Sequence, residues 1–304
     1  MSLGLPLFSV VIPTYNRAGH IGRCLESVLV QDFDELEVVV VDNASTDETV
    51  LVAASYSDRL SVRVLVNDAN YERSFSRNRG AAEAFGRFVV FLDSDDVLQP
   101  GALKRASNFI AEDPTRRFFF QLLRVVDEDG ETVYQPRVGS GSMARVLAEG
   151  NPLSCSGVYV ERELFLRHRF EESSELIASE DWHCWIRVAA EESPEVCPGP
   201  GALLVEHAGR TMAVDSWRDA ERRFHILTED LLGRSDVARY LEPHRSLFLA
   251  TQQHYVAVKA ARQGDRVASA IRFVRSIRRS PRLVFTRRTL HLVRLWLGWF
   301  RRVP

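Results

Sequence analysis

The chain has 304 residues, 45% of them hydrophobic and 26% charged, with a formal net charge of −2. This is the composition of a soluble globular protein with one large core, or one core and a small appended domain. Cys24, Cys155, Cys184 and Cys197 stand far apart with no CxxC pair, which argues against a zinc site or a disulfide framework and suits a reducing, cytoplasmic setting.

The N-terminus has no basic n-region, its first cation being Arg17, so Leu5 to Ile12 reads as a strand and not as a signal peptide. No uncharged apolar run reaches the length of a membrane span. The first hundred residues alternate short β-branched runs with helical patterns: a strand over Phe8 to Ile12, a helix over His20 to Val30, a strand over Leu36 to Val41 and a helix over Thr46 to Ser57. Strands over Val62 to Val66 and Phe88 to Leu92 follow, with a helix from about Glu72 to Phe85 between them. Continuous apolar strands separated by helices predict a parallel sheet covered on both faces. Ser45-Thr46-Asp47-Glu48 predicts a capping box at the start of the second helix, and Pro100 suits the first turn of the helix that follows Asp93 to Asp96.

Past residue 115 the rhythm changes. Phe118 to Val126, the turn Asp127-Glu128-Asp129-Gly130 and Glu131 to Tyr134 predict a hairpin. Trp182, Trp185, Ile186 and Ala189 recur at helical spacing, which puts Glu180 and Asp181 in a first turn with Ser179 as its cap. From Asp215 onward the pattern is almost wholly helical, and no internal repeat is evident.

The densest chemistry is Phe91-Leu92-Asp93-Ser94-Asp95-Asp96, three carboxylates at the end of an apolar strand. Open α/β sheets bind ligands at such ends, and hard oxygen donors suit Mg²⁺ or Mn²⁺ carrying phosphates. A short acidic cluster also serves as a solvated loop, so the run alone leaves both readings open.

Three further elements stand beside it: Ser9-Val10-Val11-Ile12-Pro13-Thr14-Tyr15-Asn16-Arg17, Val41-Asp42-Asn43-Ala44-Ser45-Thr46-Asp47 and Ser76-Arg77-Asn78-Arg79-Gly80. In this order and spacing the chain resembles the family 2 glycosyltransferases over about residues 7–210. The resemblance implies an α/β fold of the GT-A nucleotide-diphospho-sugar transferase type, a mostly parallel sheet between helices, over residues 1–212. Residues 1–114 would form its nucleotide half, residues 115–212 its acceptor half, and residues 213–304 a helical, basic C-terminal region.

Carried over residue by residue, the resemblance implies Pro13, Thr14, Tyr15, Arg17 and Ser94 around the nucleotide and Asp42 on the base. It implies Arg77 near the diphosphate, Asp93 at the ribose or metal, Asp95 as the chief protein ligand of Mn²⁺ or Mg²⁺, and Asp96 orienting its neighbours. From the residues alone, Asp42 reads as a strand-end carboxylate facing water and Arg77 as a solvated helix cation. Glu72 departs from the family, standing where glycine is common. Glu180-Asp181 resembles the family's Glu-Asp motif, whose Asp is the catalytic base. A first-turn carboxylate is favoured in its charged form by the helix dipole, so Asp181 is expected to be ionised at neutral pH. His207 matches a histidine near metal and diphosphate, and Arg210 would help the leaving diphosphate. His183 and His225 read as surface or packing residues.

The implied reaction is non-processive hexosyl transfer from a nucleoside-diphosphate sugar, with UDP the commonest carrier and GDP and dTDP open, to a glycan or lipid-linked acceptor hydroxyl. One base without a second nucleophilic carboxylate implies inversion. The alternatives are a nucleotide-sugar-binding regulator or scaffold without activity, and a sugar nucleotidyltransferase, which would carry a glycine-rich loop where this chain has Pro13-Thr14-Tyr15-Asn16-Arg17.

From Lys259 onward thirteen basic residues face the single acid Asp265, a balance of +12 that leaves −14 for residues 1–258. Arginines there alternate with Ile271, Phe273, Leu283, Phe285, Leu292, Trp296, Trp299 and other apolar residues. Such a segment fits an anionic membrane interface at the inner face of the membrane, or a packed helical appendage with solvated arginines. No motif for nucleic acid accompanies the charge.

Overall fold

The computed structural model describes residues 5–127, 129–136, 138–206 and 215–298. Two compact units divide the chain: residues 1–138 with 152–210, and residues 139–151 with 211–304.

The central strands of the first unit are mostly apolar because both of their faces are covered. β1 (Phe8–Thr14) and β4 (Phe88–Phe91) are buried at every position, and β2 (Leu36–Asp42) at all but Leu36. β3 (Val62–Val66) lies at the sheet edge and is half-buried. These four run parallel in the order β3-β2-β1-β4. Beyond β4 the sheet becomes mixed: β8 (Val158–Glu161) is antiparallel to β4 and to β6 (Phe118–Val126), whereas β9 (Glu195–Val205) is parallel to β6. β5 (Val97–Leu98) closes the far edge against β9, and β7 (Thr132–Tyr134) forms the expected hairpin with β6.

On one face α1 (Ala18–Leu29) presses Ile21, Cys24, Leu25 and Val28 into the core, an i, i+3, i+4, i+7 stripe. α4 (Ala102–Glu112) adds Leu103, Ala106, Phe109 and Ile110. α3 (Arg73–Glu83) packs on β1 and β2 so closely that a Cβ at Gly80 would overlap Val11 Cγ1 and sit 3.0 Å from Val41 Cγ2. α6 (Arg162–His168) follows β8, and α7 (Glu180–Glu191) buries Trp185 among Phe91, Phe118 and Phe170, its indole N–H donating to Ser154 O at 2.9 Å. Trp185 is therefore core, with burial of an aromatic that size contributing roughly 1.5–3 kcal/mol.

Two boundaries differ from expectation. α2 covers only Thr49–Ala54 and has no side-chain cap. Gly101, at φ +72, precedes α4, so Pro100 lies just outside the first turn. Glu72 precedes α3 at φ −69, a conformation that does not require the family's glycine.

The second unit is helical: α5 (Met143–Glu149), α8 (Trp217–Gly233), α9 (Ser235–Leu241), α10 (Arg245–Arg262), α11 (Arg266–Arg279) and α12 (Arg287–Trp296). Ser216 and Asp219 form a reciprocal capping box on α8, and Asp265 caps α11 by accepting from Ala268 N–H at 2.9 Å. The basic tail packs through Ala268, Ser269, Ser276, Leu283 and Leu292, with the Trp296 indole N–H donating to Ser269 Oγ at 2.9 Å. No helix among the described residues is long and apolar enough to cross a membrane.

Candidate active site

β1, β2 and β3 follow one another to one side of the sheet, whereas β4 lies on the other side of β1. The strand order thus reverses between β1 and β4, and a crevice forms at the carboxyl ends of strands at such a point. Thr14 is paired with Asp42, so β1 and β2 finish level, and β4 runs directly into Asp93.

The loops after β1 and β2 are laced together. Asn16 N–H donates to Ser45 Oγ at 2.9 Å, Arg17 N–H to Thr49 Oγ1 at 2.8 Å, Ala18 N–H to Asp47 at 3.1 Å, and Thr46 N–H to Asn16 Oδ1 at 2.9 Å. The Ser45-to-Glu48 segment does not form a capping box: Ser45 accepts from Asn16 N–H at the entry to α1, and Asp47 divides its oxygens between Ala18 N–H of α1 and Thr49 N–H of its own helix, at 3.1 and 3.0 Å. Asn16 and Ala44 take positive φ of 50° and 63° to make this fit, a conformation asparagine tolerates and alanine adopts at a cost. Asn43 bonds Asn67, Asn70 and the backbone of Tyr71, ordering the loop before α3.

Pro13 and Thr14 are buried, Tyr15 is exposed and Arg17 is half-buried. Asp42 is buried, with one oxygen accepting from Ser45 N–H at 2.9 Å while Oδ1 has no partner. Thr14 Oγ1, at the paired position, is likewise buried without a partner. Unmet polar groups of this kind cost about 1–3 kcal/mol each, which a ligand's polar edge can relieve.

Asp93, Asp95 and Asp96 bring ligand oxygens within 4.8 Å of one another. Asp96 is buried and accepts from Ser156 Oγ at 2.8 Å, and the same hydroxyl accepts from Asp93 N–H at 3.3 Å. Ser94 is buried between them, and Arg17 comes to 3.7 Å of Asp95. Ser156 was not singled out by sequence, since a lone serine before a strand carries no signal.

Arg77 is not a solvated helix cation. Its side chain is 2% exposed, donating to Asp93 Oδ1 at 2.6 Å and to Glu180 Oε1 at 3.1 Å, with Phe170 beneath it at 5.3 Å. One guanidinium thus ties the end of β4 to the first turn of α7. Ser179 stands at the N-cap of α7 but makes no capping bond, its hydroxyl donating to Ala178 O at 2.9 Å.

Asp181 is half-buried, with Oδ1 accepting from Trp182 N–H at 2.7 Å. Burial, and next the Glu180 charge, push its pKa up to about 6, and Asp93 adds to the shift. This reverses the direction expected from the helix end: desolvation outweighs the Trp182 N–H and the Arg77 cation. His183 is fully buried, a packing residue, and His225 is a surface residue 3.4 Å from Glu229. His207 and Arg210 lie outside the described residues, as do Glu128, Trp299 and Phe300.

A family model described as glycosyl transferase family 2 matches residues 9–169, more than half of the chain. The chain belongs to glycosyl transferase family 2. It is 26% identical over 249 residues to an uncharacterized glycosyltransferase of Haemophilus influenzae, covering 80% of this chain and 83% of that one. It is 42% identical over 108 residues to the poly(ribitol-phosphate) beta-N-acetylglucosaminyltransferase TarS of Staphylococcus aureus, over 34% of this chain but only 19% of that one. A PGL/p-HBAD biosynthesis glycosyltransferase of Mycobacterium tuberculosis is 36% identical over 112 residues, 36% of this chain and 44% of that one. The chain thus aligns with less than half of the TarS and mycobacterial proteins. In fold, this family 2 member is similar to S. aureus TarS 1–349 in complex with UDP-GlcNAc, with a TM-score of 0.64 at 22% identity over 90% of this chain and 91% of that one. It is similar also to the mannosyltransferase PcManGT of Pyrobaculum calidifontis in complex with GDP-Man and Mn²⁺, with a TM-score of 0.54 at 20% identity over 97% and 87%.

Proposed function

We propose that this family 2 glycosyltransferase moves a sugar from a UDP-sugar to an acceptor hydroxyl of a glycan or lipid-linked molecule, with inversion at the anomeric carbon. The observation that carries the reading is Arg77, whose two ion pairs hold the carboxylates at the end of β4 and the first turn of α7 in one site. Asp42 Oδ1, buried and unpartnered, would accept from a ring N–H of the base, with Thr14 and Pro13 walling the same strand ends. Tyr15, Arg17 and Ser94 would line the rest of the nucleotide.

Three converging carboxylates fit a hard dication, so Asp95, with Asp93, would hold Mn²⁺ or Mg²⁺. Such an ion supplies charge neutralisation for the leaving diphosphate. Asp181 would take the acceptor proton: with its pKa near 6 it is mostly ionised at neutral pH yet basic enough to receive one. Glu180 stays on Arg77 and fixes the turn that presents Asp181.

An anionic membrane surface is the partner proposed for the second unit. Val267, Ile271 and Val274 are exposed on one face of α11, and Leu290, Val293 and Leu297 along and just past α12, with arginines between them.

The test is a thermal-shift panel of UDP, GDP and dTDP with and without Mn²⁺, followed by NMR of the product anomer. A ligand at a hundredfold over its Kd stabilises by about 2.7 kcal/mol. The expected result is an Mn²⁺-dependent shift with UDP, release of UDP and not pyrophosphate, and an inverted product. No shift with any nucleotide would remove Asp42 and Asp95 from their roles, and a retained anomer would reject the single-base displacement.

A further inference from the structure

The second unit contains a cavity of about 620 Å³ among α8, α10 and α11, within the size range of small-molecule sites. Its cationic side is Arg275, Arg278 and Arg279, at i, i+3 and i+4 near the end of α11 and so on one helix face. None of the three has an acidic partner among the described residues. The one carboxylate lining the cavity, Glu221, is already held on both oxygens by Arg272, at 3.0 and 2.7 Å.

The wall carries a second, independent signal. Gln252 is 5% exposed, and its Oε1 accepts from Thr228 Oγ1 at 2.9 Å while Nε2 is buried with no partner. Gln253 lines the same cavity with Oε1 buried and unpartnered. Charge balance at the end of a helix would account for Arg278 and Arg279, but neither for Arg275 nor for the unmet Gln252 Nε2 donor. Phe224 and Leu249 supply an apolar wall beside these groups.

We propose that this cavity is a binding site for an amphipathic phosphate monoester. The arginines would hold the phosphate oxygens in charge-assisted bonds, the Gln252 amide would donate to one of them, and the apolar portion would lie against Phe224 and Leu249. The site lies wholly within the helical unit and does not depend on the transfer reading.

The probe is dodecyl phosphate below its micellar concentration, titrated into the full chain by calorimetry, with inorganic phosphate and dodecyl glucoside as the two halves of its chemistry. Dodecyl phosphate is expected to bind saturably and at least tenfold more tightly than either. The triple variant Arg275→Gln, Arg278→Gln, Arg279→Gln should weaken it at least tenfold while leaving the melting temperature and nucleotide binding unchanged, because all three side chains are exposed. Gln252→Leu should weaken it severalfold on its own. Equal affinity in the triple variant, or dodecyl glucoside or phosphate binding as tightly as dodecyl phosphate, would overturn the proposal.

Discussion

Arginine does different work in the two units. In the first it is spent on carboxylates: Arg77 holds Asp93 and Glu180, Arg63 holds the buried Glu37 at 3.1 Å, and Arg117 holds Glu161 at 2.7 Å. In the second, Arg223 and Arg272 are paired in the same way, but Arg275, Arg278 and Arg279 face a cavity with no acid assigned to them. A buried pair fixes geometry, since removing either member strands the other charge in a poor solvent, whereas an open cluster stores attraction for something outside the chain.

The largest effect tests the site that the paired arginine organises. Asp181→Asn should lower transfer by at least about 10²–10⁴-fold with UDP affinity unchanged; turnover near wild type would remove Asp181 from the base role. The same variant should melt higher than wild type at pH 7. A carboxyl whose folded pKa is raised to about 6 favours the protonated native state, so its stabilisation is present at low pH and lost as pH rises through 6.

Next in size is the paired arginine itself. Arg77→Gln leaves Asp93 and Glu180 without their cation and should cost about 3–5 kcal/mol in urea unfolding, whereas exposed Arg278→Gln should stay within about 0.5 kcal/mol. Similar values for the two would erase the contrast between the units. Gly80→Ala should cost about 1–3 kcal/mol because the added methyl group overlaps Val11 in a close-packed layer. Smallest is the pH profile: kcat/KM should be flat above about pH 6 and fall tenfold per unit below it, where an unperturbed aspartate would break near pH 4. A break near 4 would show that burial does not govern Asp181.

Much of the first hundred residues was legible because its central strands are buried on both faces and read as nearly unbroken apolar runs. The acidic run and Asp42 were legible for the same reason, each ending such a run. The capping box at Ser45 does not form because a local capping pattern says nothing about a neighbouring loop, and the backbone N–H that takes the Ser45 hydroxyl, that of Asn16, lies 29 residues earlier. From the residues alone Arg77 reads as a solvated helix cation because its partners, Asp93 and Glu180, lie 16 and 103 residues away.

By itself, the sequence determined the order of strands and helices, the carboxylates at the strand ends, the family and the charge asymmetry of the tail, since these are properties of residue type and spacing. Only the tertiary structure decided which charges meet. Ser156 on Asp96, Arg77 between two carboxylates, and the desolvation that raises Asp181 against its helix dipole all arise from segments distant in sequence, and a pKa or an ion pair depends on what surrounds a group more than on its neighbours along the chain.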